Sequence, residues 1–492
     1  MMCKRVVFMS ILCCLIMQDS MEAQWFSLTR FSTMLKFATE LSVLHKKKIM
    51  LCGTVMAVSA LIAKNPSIIK RPLHYIADLF TSLVDDILSV QRTLVVPIEL
   101  DSGEYVGADT HVLHETLSEE QKNRAYHISA SMLAAGAGDA LGRVTEFLSM
   151  EKIHTDYPKG IHSFYDIRNT FIKKNGKWIA PYTDDTRMAM LVMKELIKIR
   201  HWAAHQGARF SQSAIEFMHD HYDQTCHRMM TMIAVSFIND HNDQAWGWAA
   251  PFREPGNACL SGITSDRRIL RDTFPHGCPR DIKDYPHGWW KLFNDGGGCG
   301  SVMHAYPFGL VFSQDPELAA RLAAEHSFLS HGAPIARSAC ASMAAGTACA
   351  LRNMQPAEVL ECMVKTARKY DVAGYKSQTA SLIEQAIEWA RNPALKSPAE
   401  VFDLLRGWSA HEAVAAAAYI FASSPNNLQQ AIEMGVHTPG DSDSIASLAG
   451  ALVGARLGMA HIDASWIEQL EDREQLAAFG TQAVAAESVI GQ

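Results

Sequence analysis

Two short acidic segments of this chain combine carboxylates with hydroxyl side chains. They read Thr183-Asp184-Asp185-Thr186 and Gly440-Asp441-Ser442-Asp443-Ser444. One segment of this kind is typical of a helix N-cap, where side-chain oxygens accept hydrogen bonds from free backbone N–H groups. Each segment precedes a helical pattern, so either one alone fits simple capping. Because the arrangement occurs twice, we interpret the two segments as halves of one site.

If the two helix starts face each other, four carboxylates and several hydroxyls share a small volume. Like charges at such separations raise pKa values or require a cation. Oxygen ligands without clustered Cys or His select Mg²⁺, Mn²⁺ or Ca²⁺ over zinc or copper. Two segments could bridge two ions about 3.5–4 Å apart, a geometry that activates water. An EF-hand is excluded because its carboxylates alternate within a single loop closed by a Glu. The pattern predicts a hydrolytic metal centre.

Composition and charge exclude several classes of protein. The 492 residues are 48% apolar and 20% charged, which is ordinary for a globular chain. A net charge of −7 gives no broad attraction to phosphate backbones, so nucleic acid is not the predicted ligand. The 11 cysteines are scattered, odd in number and form no CxxC pair, which favours a reducing compartment and disfavours zinc.

We predict two parts, an accessory module at residues 1–115 and a catalytic domain at 116–492. The module contains apolar helices and ends in a polar linker. Residues 6–17 follow a basic pair as in a signal peptide, but the cleavage site is poor. Residues 49–63 fall short of the roughly 18–20 needed to span a bilayer, which favours a buried or partner-binding helix. A cytoplasmic location is favoured, with secretion or weak membrane association as alternatives.

The second part has the apolar periodicity of an all-α protein. Ser118-Glu119-Glu120-Gln121 resembles a capping box. The predicted helices are residues 124–141, 186–200, 211–219, 316–328, 333–352, 356–370, 377–391, 409–422, 426–434 and 444–457. Dense small residues at 134–138 and 449–455 indicate close helix packing. Residues 241–307 lack sustained periodicity and carry four tryptophans, which favours an irregular binding segment.

Further motifs occur in order between about residues 126 and 458. They are Gly138-Asp139-Ala140-Leu141-Gly142, Glu146-Phe147, Pro255-Gly256-Asn257-Ala258-Cys259-Leu260, Gly298-Cys299-Gly300-Ser301-Val302-Met303 leading to Pro307, Ser330-His331-Gly332, Gly407-Trp408 and His437-Thr438-Pro439. Together with the two acidic segments, this ordered set resembles the ADP-ribosylglycohydrolase family, which includes the dinitrogenase-reductase-activating glycohydrolase and the ADP-ribosylarginine hydrolases. The resemblance implies an orthogonal all-α fold with an N-terminal helical module added. It also implies two Mg²⁺ ions, or Mn²⁺, at a site that cleaves the glycosidic bond between ADP-ribose and a modified side chain.

The resemblance also assigns roles to residues of this sequence. The implied metal ligands are Thr183, Asp184, Asp185, Asp441, Asp443 and Ser444. The implied catalytic carboxylates are Asp184, Asp185 and Glu146, and which of them is the base stays open. The implied substrate-binding residues are Asn257, Gly298, Cys299, Gly300, Ser301, Met303 and His331. Glycines let backbone N–H groups approach a diphosphate, although a structural turn explains the same loop. A tryptophan of residues 241–307 is expected to stack on adenine.

Two residues depart from the family pattern. Ser444 stands where many relatives have Thr, and its hydroxyl keeps the expected metal ligand. His304 stands where Arg is common, which replaces a fixed charge by a group expected to titrate near neutrality.

The leading hypothesis is therefore a hydrolase that removes mono-ADP-ribose from protein side chains, with arginine favoured as the acceptor. The competing hypothesis is an immunity or regulatory protein that binds ADP-ribose or a toxin without turnover. The expected partners are an ADP-ribosylated protein and, through residues 1–115, an ADP-ribosyltransferase toxin or another protein. The acceptor, the target and the oligomeric state stay open.

Overall fold

The computed structural model describes residues 115–487 apart from 244, 276–277, 292–294 and 376–377. The predicted accessory module, except for Glu115, lies outside the described residues. Within the part that is described, none of the helices is long and apolar enough to cross a lipid bilayer.

The described chain is mostly helical, which confirms the predicted all-α class. The helices are α1 (Glu119–Gly142), α2 (Met150–Asp156), α3 (Asp184–Ala208), α4 (Ala214–Asp220), α5 (Tyr222–His241), α6 (Asn257–Thr273), α7 (Gly300–Met303), α8 (Tyr306–Val311), α9 (Pro316–His326), α10 (Pro334–Leu351), α11 (Pro356–Tyr370), α12 (Thr379–Arg391), α13 (Pro398–Leu404), α14 (Ala410–Ser423), α15 (Leu428–Val436), α16 (Ser442–Leu457) and α17 (Arg473–Ala485). A short antiparallel hairpin of β1 (Ile172–Lys174) and β2 (Lys177–Ile179) precedes α3.

Local signals in the sequence set several of these boundaries. Ser118 caps α1 through a capping box with Gln121, as predicted. Helix α11 begins and ends at the predicted residues, with Pro at its first position and Lys and Arg in its last turn.

The expectation that residues 241–307 are irregular throughout is wrong, because α6 occupies part of this segment. Its buried residues Cys259, Ile263, Asp266 and Leu270 recur at helical spacing along one face. The buried carboxyl group of Asp266 interrupts the apolar stripe, which hid the period in the sequence. The hairpin was also absent from the predicted elements, as were the helices α2, α5, α7, α8, α13 and α17.

Helices α1 and α16 cross at close range in the core. A Cβ atom on Gly142 would lie 2.5 Å from the Cα of Asp443, and one on Gly450 would overlap the carbonyl oxygen of Ala134. Only glycine permits such an approach, as the dense small residues predicted. The crossing places the end of α1 against the start of α16.

The start of α3 is attached to the C-terminal part of the chain. Ala180 N donates to Gln469 O at 2.8 Å, and Glu471 N donates to Ala180 O at 3.1 Å. The fully buried Arg253 donates from Nη1 to the Glu471 carboxylate and to Tyr182 O, both at 2.7 Å. These contacts bring the segments before α3 and α6 together.

Candidate metal centre

The start of α3 is held by a buried carboxylate from α1. Asp139 accepts hydrogen bonds from Thr183 N at 2.9 Å, from Thr186 N at 3.0 Å and from Thr186 Oγ1 at 2.5 Å. The N-cap Thr183 in turn accepts from Asp185 N at 3.3 Å. Sequence reasoning assigned no role to Asp139 beyond its motif. Its position inside a small-residue helix gave no sign that it supports a segment 44 residues away.

The start of α16 is held by neutral groups. Thr145 Oγ1 donates to Val436 O at 2.6 Å and lies 3.0 Å from Ser442 Oγ, which itself donates to Gly142 O at 2.9 Å. The N-cap residue Asp441 makes no side-chain capping bond. Its carboxylate is thus not used to cap its own helix.

The two helix starts meet, as the duplicated pattern predicted. Ser444 Oγ donates to Asp185 Oδ2 at 2.8 Å, which joins residues 259 positions apart. Carboxylate oxygens of Glu146, Asp441 and Asp443 lie within 4.8 Å of one another. All six predicted metal ligands are more than nine-tenths buried, and Glu146 is half-buried beside them.

Burial and mutual repulsion disfavour the charged forms of these groups. Burial raises the pKa of Asp184 well above its usual range, and the neighbouring Asp139 raises it further. Burial, followed by the charge of Asp184, does the same to the pKa of Asp185. The pKa of Asp443 is raised by burial and then by Glu146. Burial, Asp441 and Glu254 raise the pKa of Glu146 to about 9.

The donor set fits a hard divalent cation. Nearby basic side chains are engaged elsewhere: Arg187 pairs with Asp240 at 2.6 Å, and Arg253 with Glu471 at 2.7 Å. Within the residues that the structure describes, no salt bridge reaches Asp184, Asp185, Asp441 or Asp443. Buried carboxylates without a cationic partner are costly when charged, and their oxygens are the ligands that Mg²⁺ and Mn²⁺ prefer.

The glycine-rich segment before α7 lies beside this centre. Cys299 Sγ donates to Asp441 Oδ2 at 2.9 Å, while its backbone N–H donates to Trp408 O at 3.2 Å. Both polar groups of Cys299 are therefore engaged within the protein. The ring of His331 lies against Gly298 and Gly300, and burial lowers the pKa of His331 to about 4. His331 is thus neutral near pH 7.

The other predicted substrate-binding residues differ in accessibility. Asn257 is exposed at the first position of α6, next to Gly256, whose N–H donates to the Asp184 carboxylate. Ser301 and Met303 have fully buried side chains. Any contact of these two with a ligand would therefore use their backbone.

His304 does not titrate near neutrality, contrary to the expectation from sequence. It is fully buried, and its Nδ1 lies 2.5 Å from His326 Nε2. Burial, and then the nearby His326 and His331, lower the pKa of His304 well below its usual value. The position holds a neutral core side chain that packs against Phe237.

The exposed aromatic residues near the centre do not belong to the tryptophan-rich segment, contrary to the expectation from sequence. Trp248, Trp289 and Trp290 of the tryptophan-rich segment are at most 3% exposed and belong to the core. Phe147 and Trp408, in contrast, are 65% and 55% exposed, with ring centroids 6.0 Å apart. Trp408 also lines a groove of 430 Å³ together with Gly297, Gly298, Asp403, Leu404, Arg406, Ser409 and Glu412.

Known proteins provide an independent view of this chain. A family model described as ADP-ribosylglycohydrolase matches residues 120–490. An uncharacterised protein of Archaeoglobus fulgidus is 26% identical over 184 residues, which is 37% of this chain and 57% of that protein. ADP-ribosylhydrolase ARH3 of Bos taurus is 34% identical over 85 residues, which is 15% of this chain and 23% of that protein. The matches thus span 57% or less of these relatives' own length.

A solved structure also resembles the chain. An ADP-ribosylglycohydrolase-related protein complex superposes with a TM-score of 0.48 at 18% identity, covering 75% of this chain and 100% of that chain. The family match alone spans most of the sequence and confirms the resemblance seen in its motifs. The chain belongs to the ADP-ribosylglycohydrolase family.

Proposed function

We propose that this chain is a metal-dependent hydrolase that removes mono-ADP-ribose from modified protein side chains, with arginine as the favoured acceptor. The observation that carries the proposal is the hydrogen bond from Ser444 Oγ to Asp185 Oδ2 at 2.8 Å. It joins the two acidic helix starts into one centre, in a chain whose family is defined by ADP-ribose hydrolysis.

Six residues would hold two Mg²⁺ ions, or Mn²⁺, at this centre: Thr183, Asp184, Asp185, Asp441, Asp443 and Ser444. When bound, the ions supply the positive charge that orients ribose hydroxyls and lowers the pKa of a water molecule. The raised pKa values of the Asp carboxyls in the metal-free protein support this role, because a cation would offset the burial and repulsion that raise them.

Once a bound cation offsets the burial and repulsion that raise its pKa, Glu146 is the carboxylate best placed to take a proton from the attacking water. Asp184 and Asp185 are buried and serve as ligands, whereas Glu146 is half-buried and lies next to Glu254, whose side chain is 46% exposed. A proton accepted by the Glu146 carboxylate therefore has a route to solvent. A general base must lie within hydrogen-bond reach of the water, which the position of Glu146 beside Asp441 and Asp443 allows.

Two features support arginine as the acceptor. The form Gly440-Asp441-Ser442-Asp443-Ser444 resembles the arginine-directed branch of the family. The exposed Glu254 carboxylate beside Glu146 also offers an anionic group to a departing guanidinium.

The test measures release of ADP-ribose from arginine-linked and serine-linked ADP-ribosylated proteins by the full chain with Mg²⁺. We expect release that EDTA abolishes and Mg²⁺ restores, faster from arginine. The Asp184→Ala/Asp185→Ala variant should be inactive. Asp272→Asn, which changes an exposed acid at the end of α6, should match wild type.

Absence of release from every linkage would overturn the proposal. If ADP-ribose still raised the Tm of the wild-type chain in that case, a binding protein without turnover would explain the site instead.

A further inference from the structure

A pair of histidines lies on α3, remote from the acidic centre. His201 and His205 are four residues apart, so their side chains share one face of the helix. Their Nε2 atoms are 3.0 Å apart, and their ring centroids 4.4 Å apart. His205 is exposed and His201 half-buried, so solvent reaches the pair.

The helix separates the two histidines from the acidic centre. Asp184 is the first residue of α3, and His201 follows it by more than four turns. At about 1.5 Å per residue, this places the pair about 25 Å further along the helix axis. A ligand at the histidines is therefore independent of Asp184 and Asp185.

The nitrogen separation suits a shared transition-metal ion. Two metal–nitrogen bonds of about 2.0–2.1 Å put neighbouring ligand atoms about 2.9 Å apart at a right angle and about 3.3 Å apart at the tetrahedral angle. The observed 3.0 Å, the length of a hydrogen bond between the rings, lies between these two values, so both nitrogens are within reach of one ion. Affinity among divalent ions also rises towards Cu²⁺.

The surroundings allow a cation to bind. Lys198 and Arg209, one turn to either side, are engaged with Glu195 at 3.0 Å and with Gln206 at 3.3 Å. Burial lowers the pKa of His201, which favours the neutral imidazole that a metal requires. Without metal, the Nε2–H of one ring donates to Nε2 of the other; on metal binding the donor ring takes the Nδ1–H tautomer, so both Nε2 atoms are available to the ion.

We propose that His201 and His205 form a transition-metal site that takes Cu²⁺ or Ni²⁺ in preference to Mg²⁺. Imidazole nitrogen suits these ions, whereas Mg²⁺ prefers oxygen ligands. The site has two protein ligands, and water completes its coordination.

The test is titration of the full chain with Cu²⁺ in excess Mg²⁺, which fills the acidic centre if the proposed function holds. His205→Gln and His201→Gln are compared with wild type and with the control His154→Gln, an exposed histidine on α2. We expect each variant of the pair to weaken one Cu²⁺ equivalent at least tenfold and to remove the electron paramagnetic resonance signature of two nitrogens. His154→Gln should change neither. Circular dichroism verifies that each variant is folded.

Equal Cu²⁺ binding by wild type, His205→Gln and His201→Gln would overturn the inference. So would an equal loss in His154→Gln, which would show that scattered histidines bind the ion. Cu²⁺ binding is read without substrate, so failure of the proposed hydrolysis leaves this result interpretable.

Discussion

The starts of α3 and α16 carry similar acidic sequences but are supported in different ways. The start of α3 rests on the buried carboxylate of Asp139, which accepts three hydrogen bonds. The start of α16 rests on the hydroxyls of Thr145 and Ser442. At both helix starts, residues outside the predicted ligand set hold the backbone in place. The support of α3, Asp139, is itself a carboxyl group that lies beside other carboxylates. We therefore expect substitution of the supporting residue to disturb the start of α3 more than the start of α16.

The largest expected effect tests whether both helix starts contribute ligands. Asp185→Asn and Asp443→Asn should each lower kcat/KM for ADP-ribose release by about 100-fold or more, because each removes an anionic ligand. Both should also raise the Tm of the metal-free protein, since each removes a buried acid whose charge is disfavoured. Kinetics and thermal unfolding measure the two effects, with Asp272→Asn as the control. A large loss of activity in only one variant would mean that only one helix start is catalytic.

A smaller effect is expected from the supports. Asp139→Asn should lower activity about 10- to 100-fold, as groups behind metal ligands do. It should also lower the free energy of unfolding by about 1–3 kcal/mol. The NH₂ group of the new amide would face an N–H or O–H donor of Thr183 or Thr186 that loses its acceptor. Ser442→Ala, the matched change behind α16, should cost about 1 kcal/mol. Urea unfolding and steady-state kinetics measure both effects. A larger loss of stability and activity in Ser442→Ala than in Asp139→Asn would contradict the expected difference between the two helix starts.

The bond between the two starts should matter less than their supports. Ser444→Ala removes the hydroxyl that contacts Asp185 and should lower activity about tenfold. Ser444→Thr keeps the hydroxyl and should retain activity within about threefold of wild type. Steady-state kinetics at several Mg²⁺ concentrations distinguish weaker metal affinity from a slower chemical step. Equal activity of the Ala and Thr variants would show that the hydroxyl has no role.

A separate effect, on stability and not on activity, is a pH dependence. Glu146 has a folded pKa of about 9 against an ordinary value of 4.5, so the folded metal-free protein holds a proton that the unfolded chain has lost between these pH values. Stability should therefore fall as pH rises through this window. Saturating Mg²⁺ should flatten the slope. Thermal unfolding of the metal-free protein from pH 5 to 9, with Glu146→Gln as the control, measures this slope. A rise in Tm with pH would contradict the raised pKa of Glu146.

The sequence predicted those features that depend on local pattern. Helical periodicity and capping signals predicted ten of the described helices, although α3 ends eight residues beyond its predicted end. The duplicated acidic pattern predicted the joined centre. The sequence did not predict the supporting role of Asp139, because a carboxyl group among small residues looks like part of a helix-packing surface. The burial of His304 was also missed, since a family pattern names the residue type at a position and not its surroundings.

Tertiary contacts explain the other differences. Phe147 and Trp408 are 261 residues apart in the sequence, so their ring contact follows only from the tertiary fold. The tryptophans of residues 241–307 are mostly buried, since aromatic residues in an irregular segment often pack onto the core. The histidine pair on α3 has helical spacing in the sequence, but its nitrogen separation required coordinates.

The close crossing of α1 and α16 has a consequence during synthesis. The residues that touch there, such as Gly142 and Ser442, are 300 positions apart. At about 5–20 residues per second, α1 waits about 15–60 s on the ribosome for its partner. From the time they are made until α16 follows, Asp184 and Asp185 have no opposing cluster. A fragment that stops before α16 would carry half of the centre, so a nascent chain gains the complete site only once α16 has been made.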